Sequence, residues 1–371
     1  MTGGDDHLMS VAALFSDAAL GGDWEAALAG LAKACTADNG QLVGIGANAA
    51  VPFNWISNRN GRTDDEWLAL RGGDPARNPR VRVGLSAPLL KAWHDLDCFD
   101  PETRARYAEC CDLFIRLDLP YGSQATLIRD EEILIGVATL RGARLGQPSP
   151  EDRRAFEALV PHIRDAVRLQ MTLEGQGAAV MAGALDAVGA AAFILDGSGR
   201  LRAATQAGET ALASGPLRLR SQRLGAARDD QSRLLDAAVE AALQGPAGAT
   251  DRPMRTVPLR PVDDPSSLVL ADVVSLPARA HALGFQPRVL VTLRGVSRRD
   301  ADLARHLRAA FGLTPAEAEI ALRLLDGDSR EAIADDRQAS VQTVRSQVKS
   351  LFAKLGVRRT AELTARFGRL R

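Results

Sequence analysis

The chain has 371 residues, of which 46% are hydrophobic and 25% are charged, and its 46 basic residues balance its 46 acidic residues. This composition is that of a globular protein and excludes a mostly disordered chain, and the length suits two or three domains. The 4 cysteines are too few for a disulfide scaffold. Because the net charge is zero, it favours no class of partner by itself.

Two stretches decide whether a membrane segment is expected. The first, residues 1–20, carries Asp5, Asp6 and Asp17 and has no basic residue ahead of an apolar run, so we expect no signal peptide. The second, residues 175–195, has Asp186 as its one charge but is dominated by alanine and glycine, and is therefore too weakly apolar to span a bilayer. We expect a cytoplasmic protein with no membrane partner.

The first part of the chain, which we predict to be a domain over residues 1–175, mixes helices and strands. Apolar spacing predicts helices over residues 8–20, 24–35, 88–93, 101–117 and 149–170, the last capped by Ser149. Strands are predicted over residues 41–45, 53–57, 123–128 and 133–140, the last two as a hairpin. In this order of elements, and in its final helix, the part resembles a GAF-like sensor domain.

A break at residues 175–177 is predicted to precede a second domain over residues 181–297. Strands are predicted over residues 192–195, 200–203, 256–259, 267–274 and 288–293, with helices over 207–214 and 229–243. The order of elements resembles a PAS domain. The residues that carry this resemblance are Phe193-Ile-Leu-Asp196, Gly199, Leu201 and Glu209.

The last part, predicted as a domain over residues 305–371, has the pattern of a small all-helical unit. Thr314-Pro-Ala-Glu317 is a capping box with proline at the first helical position. Ser329 and Ser340 can cap a second and a third helix, Gly356 can end the third, and a fourth is predicted over 360–367. The inward residues of the third helix are Val341, Val344, Val348, Leu351, Phe352 and Leu355.

This pattern resembles the LuxR-type DNA-binding domain, with the family's spacing throughout. The matching residues are Leu313-Thr-Pro-Ala-Glu317, Ala321-Leu-Arg-Leu-Leu325, Gly327, Glu331-Ala-Ile-Ala334, Ser340, Thr343-Val344, Lys354-Leu-Gly-Val357 and Ala361-Glu-Leu363. The resemblance implies a helix-turn-helix whose third helix enters the major groove of double-stranded DNA. It places Arg345, Ser346 and Lys349 at base edges. The candidates for contact with the DNA backbone are Arg330, Thr343, Gln347 and Lys354.

The charge of this region supports contact with phosphate independently. Residues 340–371 contain eight basic residues and one acidic residue, and the rest of the chain carries the compensating negative charge. The alternative is an ordinary solvated helix face. In the fourth helix, Leu363 and Phe367 match the element that many LuxR-type members use for dimerisation, and alternatively close the core of a monomeric domain. We expect a homodimer, because one small domain binds DNA weakly.

The first part is the expected place for a small-molecule ligand, because all 4 tryptophans lie there. The candidate pocket residues are Trp55, Trp67, Trp93 and Tyr121, since aromatic side chains favour such sites. Packing in the core is the alternative role for the same side chains.

A thiol or metal sensor is a further alternative for this part of the chain, built on His94, Cys98, Cys110 and Cys111. Adjacent Cys110 and Cys111 cannot easily face one tetrahedral metal. The acidic residues beside Cys98 would raise its pKa rather than lower it. We therefore expect no metal and no cofactor.

The chain contains no G-x-S-x-G, P-loop or H-E-x-x-H motif, so we predict no enzyme. We predict an α+β multidomain protein in which GAF-like and PAS-like α/β sensor domains precede an all-α four-helix LuxR-type domain. Its function would be that of a bacterial one-component transcriptional regulator, in which a small molecule or partner controls dimerisation and DNA binding through segments 149–170 and 298–310. The alternative is a constitutive DNA-binding protein whose sensor-like domains only bind other proteins.

Overall fold

The structure is a computed structural model that describes residues 2–58, 66–245, 254–261, 268–294 and 300–367. These residues form two five-stranded antiparallel sheets, a separate two-stranded hairpin and a group of helices near the carboxyl end. The predicted mixed α+β, multidomain architecture is therefore confirmed at this level. Within the described ranges, no helix combines the length and the apolar character needed to cross a bilayer.

The first sheet, sheet I, has the strand order β2-β1-β5-β4-β3. It belongs to a run of elements that ends in one long helix. In chain order these are α1 (Thr2–Ala19), α2 (Trp24–Ala34), β1 (Asn39–Gly46), β2 (Phe53–Ile56), α3 (Pro79–Ser86), β3 (Trp93–His94), α4 (Asp95–Cys98), α5 (Pro101–Arg106), α6 (Ala108–Arg116), β4 (Tyr121–Arg129), β5 (Ile133–Arg141) and α7 (Pro150–Ala187).

The two faces of sheet I are covered differently. Side chains alternate along a strand, so Ile133 and Ile135 of β5 point to one face and Leu134 and Gly136 to the other. The first face packs against α1, α2 and α7 and forms the largest apolar core of this part. The second face lies under α3 and α6 and borders a cavity.

Two predicted helices differ from the structure. Residues 88–93 form no helix, because Leu90 has a left-handed backbone (φ 64°) and donates its N–H to the Thr126 carbonyl at 2.9 Å. The predicted helix over 101–117 is divided into α5 and α6 at Tyr107, whose dihedral angles (φ −109°, ψ 33°) are not helical. Leu90 and Tyr107, where the two predicted helices are interrupted, are not residue types that mark a break, which is why the sequence pattern missed both.

Helix α7 has 38 residues and would be about 57 Å long at 1.5 Å per residue. The predicted cap is confirmed: Ser149 and Asp152 form a capping box. The predicted break at residues 175–177 is wrong, because the helix continues through both glycines to Ala187. Each glycine costs about 1 kcal/mol in a helix, but a packed loop stabilises this stretch. A Cβ at Gly177 would lie 3.6 Å from Pro287 of that loop.

The second sheet, sheet II, has the strand order β10-β11-β12-β6-β7. If the five strands of each sheet are numbered in chain order, sheet I has the order 2-1-5-4-3. Sheet II has the same order when it is read from its other edge, as β7-β6-β12-β11-β10. The elements are β6 (Ala191–Leu195), β7 (Leu201–Ala204), α8 (Gln206–Ser214), β8 (Leu217–Arg220), β9 (Arg223–Ala226), α9 (Asp229–Gln244), β10 (Met254–Leu259), β11 (Val269–Ser275) and β12 (Val289–Arg294).

Strands β8 and β9 form a hairpin that the sequence analysis did not predict. Its two-residue turn is Ser221-Gln222, and both residues have positive φ, 48° and 62°. Turns of this kind favour Asn-Gly or Asp-Gly. A Ser-Gln turn therefore carries no sequence signal for a hairpin.

The loop between β11 and β12 connects the two sheets. Its Leu283 is fully buried in the core of the first part, and the imidazole of His281 lies edge-on to Trp55 at 5.3 Å. The Glu174 carboxylate of α7 accepts the N–H groups of Leu283 at 2.9 Å and of Phe285 at 2.9 Å. The loop is therefore held both by apolar packing and by a buried carboxylate.

The carboxyl-terminal helices share one apolar core. They are α10 (Asp300–Phe311), α11 (Pro315–Leu325), α12 (Arg330–Asp336), α13 (Val341–Leu355) and α14 (Thr360–Phe367). The predicted Thr314–Glu317 capping box and the predicted caps Ser329 and Ser340 are confirmed. The predicted transmitter segment 298–310 lies partly outside the described residues, and its described part belongs to α10.

Candidate nucleic-acid interface and sensor cavity

Helix α13 presents two contrasting faces. Its apolar face packs into the core through Val344, Val348 and Leu351, none of which is more than 2% exposed. The opposite face is exposed and mostly polar. It consists of Gln342, Arg345, Ser346, Lys349 and Ala353.

Short-range contacts define both ends of α13. The N–H of Thr343 donates to Ser340 Oγ at 3.0 Å, and the two hydroxyl oxygens are 2.8 Å apart. At the other end, Gly356 adopts the left-handed conformation with φ 67°, which a glycine allows without steric cost. The preceding helix α12 packs Ile333 and Ala334 into the same core. The exposed face of α13 is thus carried on a well-defined scaffold.

The three residues expected at base edges are all exposed on α13. Within the described ranges, Arg345 forms a 3.7 Å pair between its guanidinium and the Glu331 carboxylate, and both side chains are more than half exposed. Exposed pairs of this kind contribute about 0–1 kcal/mol. A phosphate or a base edge can therefore replace Glu331 at little cost.

The four candidates for backbone contact are placed differently from one another. Arg330 and Thr343 are exposed. Gln347 is half-buried and accepts a long 3.5 Å hydrogen bond from Arg337. Lys354 is occupied within the domain: its ammonium donates to Glu317 at 2.7 Å and to the Gly312 carbonyl at 3.1 Å.

The Glu317 carboxylate is a buried polar hub that joins α11 to α13. Besides Lys354, it accepts hydrogen bonds from the Thr314 N–H and the Ser350 hydroxyl, each at 2.7 Å. The Lys354 ammonium and these donors lower the pKa of Glu317 from 4.5 to about 2. Lys354 therefore links α13 to α11 through Glu317.

The structure places Leu363 and Phe367 in the core of their own domain. They are 0% and 4% exposed, and the Phe367 ring lies edge-on to Phe311 at 5.5 Å. This placement corresponds to the alternative role of the two residues, which is to close the core of their own domain. In this arrangement neither side chain is available to a second copy.

A cavity of about 80 Å³ lies on the second face of sheet I. Of the four aromatic residues proposed as a pocket, the structure brings Trp67 and Trp93 to this cavity. Trp55 points to the opposite face of the sheet and lines a separate cleft of about 440 Å³ beside the β11–β12 loop. Tyr121 borders neither space.

The cavity wall is mostly apolar but contains a buried polar cluster that the sequence analysis missed. Arg80 forms a 2.7 Å ion pair with Asp95, donates to the Leu119 carbonyl at 2.9 Å and stacks over the Phe114 ring at 3.8 Å. Gln124 Nε2 donates to Asp95 Oδ1 at 3.1 Å. All the charge of this cluster is therefore paired.

One sequence signal could have found part of this wall. Gln124 and Thr126 occupy alternate positions in β4, so they share one face of a strand that is buried throughout its middle. Two polar residues on one face of such a strand indicate a polar lining or a site. No comparable local signal connects Arg80 to Asp95, because they meet only through the tertiary fold.

The four cysteines are all free thiols, and those of the alternative sensor do not form a site. Burial raises the pKa of Cys110 to about 12. Burial, and then the neighbouring Asp97 and Asp95, raise the pKa of Cys98, as expected from the sequence. In the described part of the chain, no three His, Cys, Asp or Glu side chains are grouped for a metal.

No protein-family model matches this sequence, and no curated protein matches it. Several solved structures are distantly similar. A phage VqmA–DPO complex is 13% identical, with 51% of this chain and 88% of that chain covered and a TM-score of 0.23. Escherichia coli SdiA is 9% identical, with 94% and 91% covered and a TM-score of 0.30.

The amino-terminal part of E. coli DhaR, in its complex with DhaL, is 12% identical over 79% of this chain and 90% of that chain, with a TM-score of 0.23. These TM-scores are too low to assign this chain a shared overall fold or a function. A function for this chain is therefore inferred from its own geometry.

Proposed function

We propose that this protein is a DNA-binding transcriptional regulator, in which α12 and α13 form the helix-turn-helix and α13 enters the major groove. The observation that carries the proposal is the division of α13 into a buried apolar face and an exposed polar face that includes Arg345 and Lys349. A helix of this kind fits the major groove of B-DNA, where arginine or lysine can pair with guanine O6 and N7.

Residues around α13 supply the phosphate contacts in this proposal. Arg330 and Thr343 are exposed next to the base-reading face. Gln347 contributes from its half-buried position. Lys354 contributes mainly by holding α13 on α11 through Glu317, and reaches a phosphate only by giving up that pair.

The two sheet units are the sensor in this proposal, with residues 1–175 as a GAF-like domain and residues 181–297 as a PAS-like domain. Their shared strand order, 2-1-5-4-3, supports two units of one architectural type. A small molecule or partner that changes their packing would alter the DNA-binding helices by shifting populations between two arrangements.

We further propose that the protein acts as a homodimer through α7 rather than through Leu363 and Phe367. Leu169, Leu173 and Val180 of α7 are 39%, 41% and 74% exposed. Their spacing of four and seven residues places them on one side of the helix. An exposed apolar stripe of this kind is characteristic of helices that pair with another helix.

DNA binding by the full-length protein tests the proposal. Random-sequence selection would provide the DNA, and affinity would be measured at several salt concentrations. For the double variant Arg345→Ala/Lys349→Ala we expect at least a tenfold loss of affinity for the selected sequence, equivalent to about 1.4 kcal/mol. We also expect a shallower dependence on salt, because fewer counterions are released.

A matched control removes the same charge elsewhere. Arg220 and Arg233 are exposed basic residues of the second sheet unit, so Arg220→Ala/Arg233→Ala should bind DNA as the wild type does. Failure to select any sequence, or equal losses in the two double variants, would rule out the assigned role of α13. Affinity that no metabolite changes would favour the alternative in which the sheet units only bind proteins.

A further inference from the structure

We propose that the cavity of sheet I binds a compact, uncharged molecule that carries a hydrogen-bond acceptor and a donor side by side, as a cis amide does. The inference rests on the proposed function, since it names the ligand class of the sensor. Two buried polar atoms without partners are the first observation that supports it. Trp93 Nε1 and Gln124 Oε1 are buried, and neither has a hydrogen-bond partner in the structure.

Both atoms belong to side chains that line the cavity. Leaving a buried donor or acceptor unpaired costs about 1–3 kcal/mol, so natural proteins rarely keep one without a reason. Gln124 is only 6% exposed, which makes bulk water a poor partner for it. A ligand that satisfies both atoms would recover this cost when it binds.

The two unpaired atoms come from directly opposed residues. Trp93 of β3 pairs with Gln124 of β4 in antiparallel register. Side chains opposed in this way lie on the same face of the sheet, with Cβ atoms about 4.5–5.5 Å apart. The indole N–H and the amide oxygen therefore belong to neighbouring side chains on the face of sheet I that borders the cavity, and in the proposal one small group contacts both.

The orientation of the Gln124 amide follows from its partner. A carboxylate only accepts hydrogen bonds, so the group 3.1 Å from Asp95 Oδ1 must be the NH₂, and the oxygen must be the free end. Asp95 is itself held by Arg80. Gly122 makes room for this arrangement, because a Cβ there would lie 2.3 Å from Gln124 Nε2.

The other polar groups of the wall are already satisfied, which excludes a charged ligand. Arg80 is paired with Asp95, and Gln41 donates to Asn54 at 2.7 Å. The Thr126 hydroxyl donates to the Gly84 carbonyl at 2.9 Å. A ligand charge brought into this space would find no free opposite charge among the lining residues, and its burial would be strongly unfavourable.

The remaining wall defines the body of the ligand. Val43, Ile45, Trp67, Val81 and Leu134 form an apolar cluster that borders the space. The volume of about 80 Å³ is far below the roughly 300–1,000 Å³ of sites for drug-sized molecules. The geometry suits a single small apolar ring with one amide edge.

The test follows the indole N–H of Trp93 in the full-length protein labelled with ¹⁵N-tryptophan. The chain has 4 tryptophans, and Trp93→Phe identifies the relevant signal. The test compounds are δ-valerolactam, which has both groups, and N-methyl-δ-valerolactam, which keeps the acceptor but lacks the donor. We expect δ-valerolactam to shift the Trp93 signal saturably at millimolar concentration. The N-methyl compound should bind at least about tenfold more weakly, because Gln124 Oε1 stays unpaired.

Two variants keep the outcome interpretable. Gly136 lines the cavity, and a Cβ built there has no atom closer than 3.7 Å, so the backbone has room for a Cβ and Gly136→Val should fill part of the space. It should abolish the shift. Gln124→Leu should remove the difference between the two compounds. The proposal is overturned if the lactam gives no saturable shift, if both compounds act equally on the wild type, or if Gly136→Val responds as the wild type does.

DNA affinity measured on the same samples separates this proposal from the function it rests on. If DNA is bound and the Trp93 signal does not respond, the cavity assignment fails and the regulator assignment stands. If Trp93 responds but Arg345→Ala/Lys349→Ala binds DNA as the wild type does, the cavity assignment stands and the role of α13 fails.

Discussion

The carboxylate of Glu132, at the tip of the β4–β5 hairpin, lies 2.6 Å from the guanidinium of Arg202 on β7. Both side chains are about one-fifth exposed. Arg202 also contacts Asp196 at 2.6 Å, and Arg200 lies 3.0 Å from Glu132. This charged contact joins the hairpin of sheet I to β7 of sheet II.

The Glu132–Arg202 contact should stabilise the packing of the two sheets. For Glu132→Gln we expect a loss of about 1 kcal/mol in the free energy of unfolding, because two arginines lose a half-buried charged partner. A double-mutant cycle with Arg202→Met, measured by denaturant unfolding, isolates the pairwise part. Strictly additive losses in the two single variants would show that the contact contributes no coupling.

The Glu174 carboxylate should control the order of the β11–β12 loop. In Glu174→Ala, the N–H groups of Leu283 and Phe285 lose their acceptor inside a buried site, so we expect a destabilisation of about 2–4 kcal/mol. Hydrogen exchange at these two amides should become faster than in the rest of sheet II. Glu151→Ala, at an exposed position of the same helix, serves as the control and should leave both rates unchanged.

The pair between Glu317 and Lys354 should make the carboxyl-terminal helices sensitive to acid. The pKa of Glu317 is lowered from 4.5 to about 2 in the folded protein. Its stabilising effect is therefore complete above pH 4.5 and is lost as the pH falls toward 2. The measurement is the free energy of unfolding of the full chain, followed by the circular dichroism of its helices between pH 6 and pH 2.

Glu317→Gln should lower stability at pH 6 by about 2 kcal/mol and flatten the pH dependence. Glu319→Gln, at an exposed position of the same helix, should keep the wild-type profile. A Glu317→Gln profile as steep as that of the wild type would assign the acid sensitivity to other carboxylates.

The apolar stripe on α7 should determine the oligomeric state. Leu173→Glu/Val180→Glu places two like charges in the proposed interface, so sedimentation should show a shift from dimer to monomer by at least tenfold in the dissociation constant. Leu234→Glu alters a 54% exposed leucine of α9 and should leave the dimer intact. A dimer that survives the double change would mean that another surface pairs the chains.

The carboxyl-terminal helices could be predicted closely from the sequence because their signals are local. Ser340 and Gly356 bracket α13, and the spacing of Val344, Val348 and Leu351 identifies its buried face. Each of these signals acts within one or two turns of helix, where side chains three or four residues apart are neighbours. Little information from the rest of the fold is needed there.

The cavity could be predicted only in part, because it depends on which face of a strand is covered. Trp67 and Trp93 border it, whereas Trp55 lies on the opposite face of sheet I. The sequence shows that all the tryptophans lie in the first part of the chain, but it does not show which face of sheet I each side chain occupies. The pairing of Trp93 with Gln124 is set by the register of β3 and β4, which joins residues far apart in sequence.

The predicted break at residues 175–177 shows the same limit for helices. Glycine lowers helix propensity, yet Glu174 and the packing of Gly177 against Pro287 hold the backbone in place. Tertiary contacts of this strength override a local preference of about 1 kcal/mol per residue. A loop more than a hundred residues away in the chain therefore contacts α7 at the point where the sequence predicts a break.

That loop also limits how the protein can be recombined. Leu283 completes the core of the unit that precedes it in the chain, so excising residues 1–175 would leave a hole in that unit and an exposed apolar loop on the remainder. The two sheet units should therefore be kept together when the protein is truncated or when its sensor part is transferred to another protein. A chimera that exchanges sensors would have its workable junction after residue 294, between sheet II and the helices that follow, and not within α7.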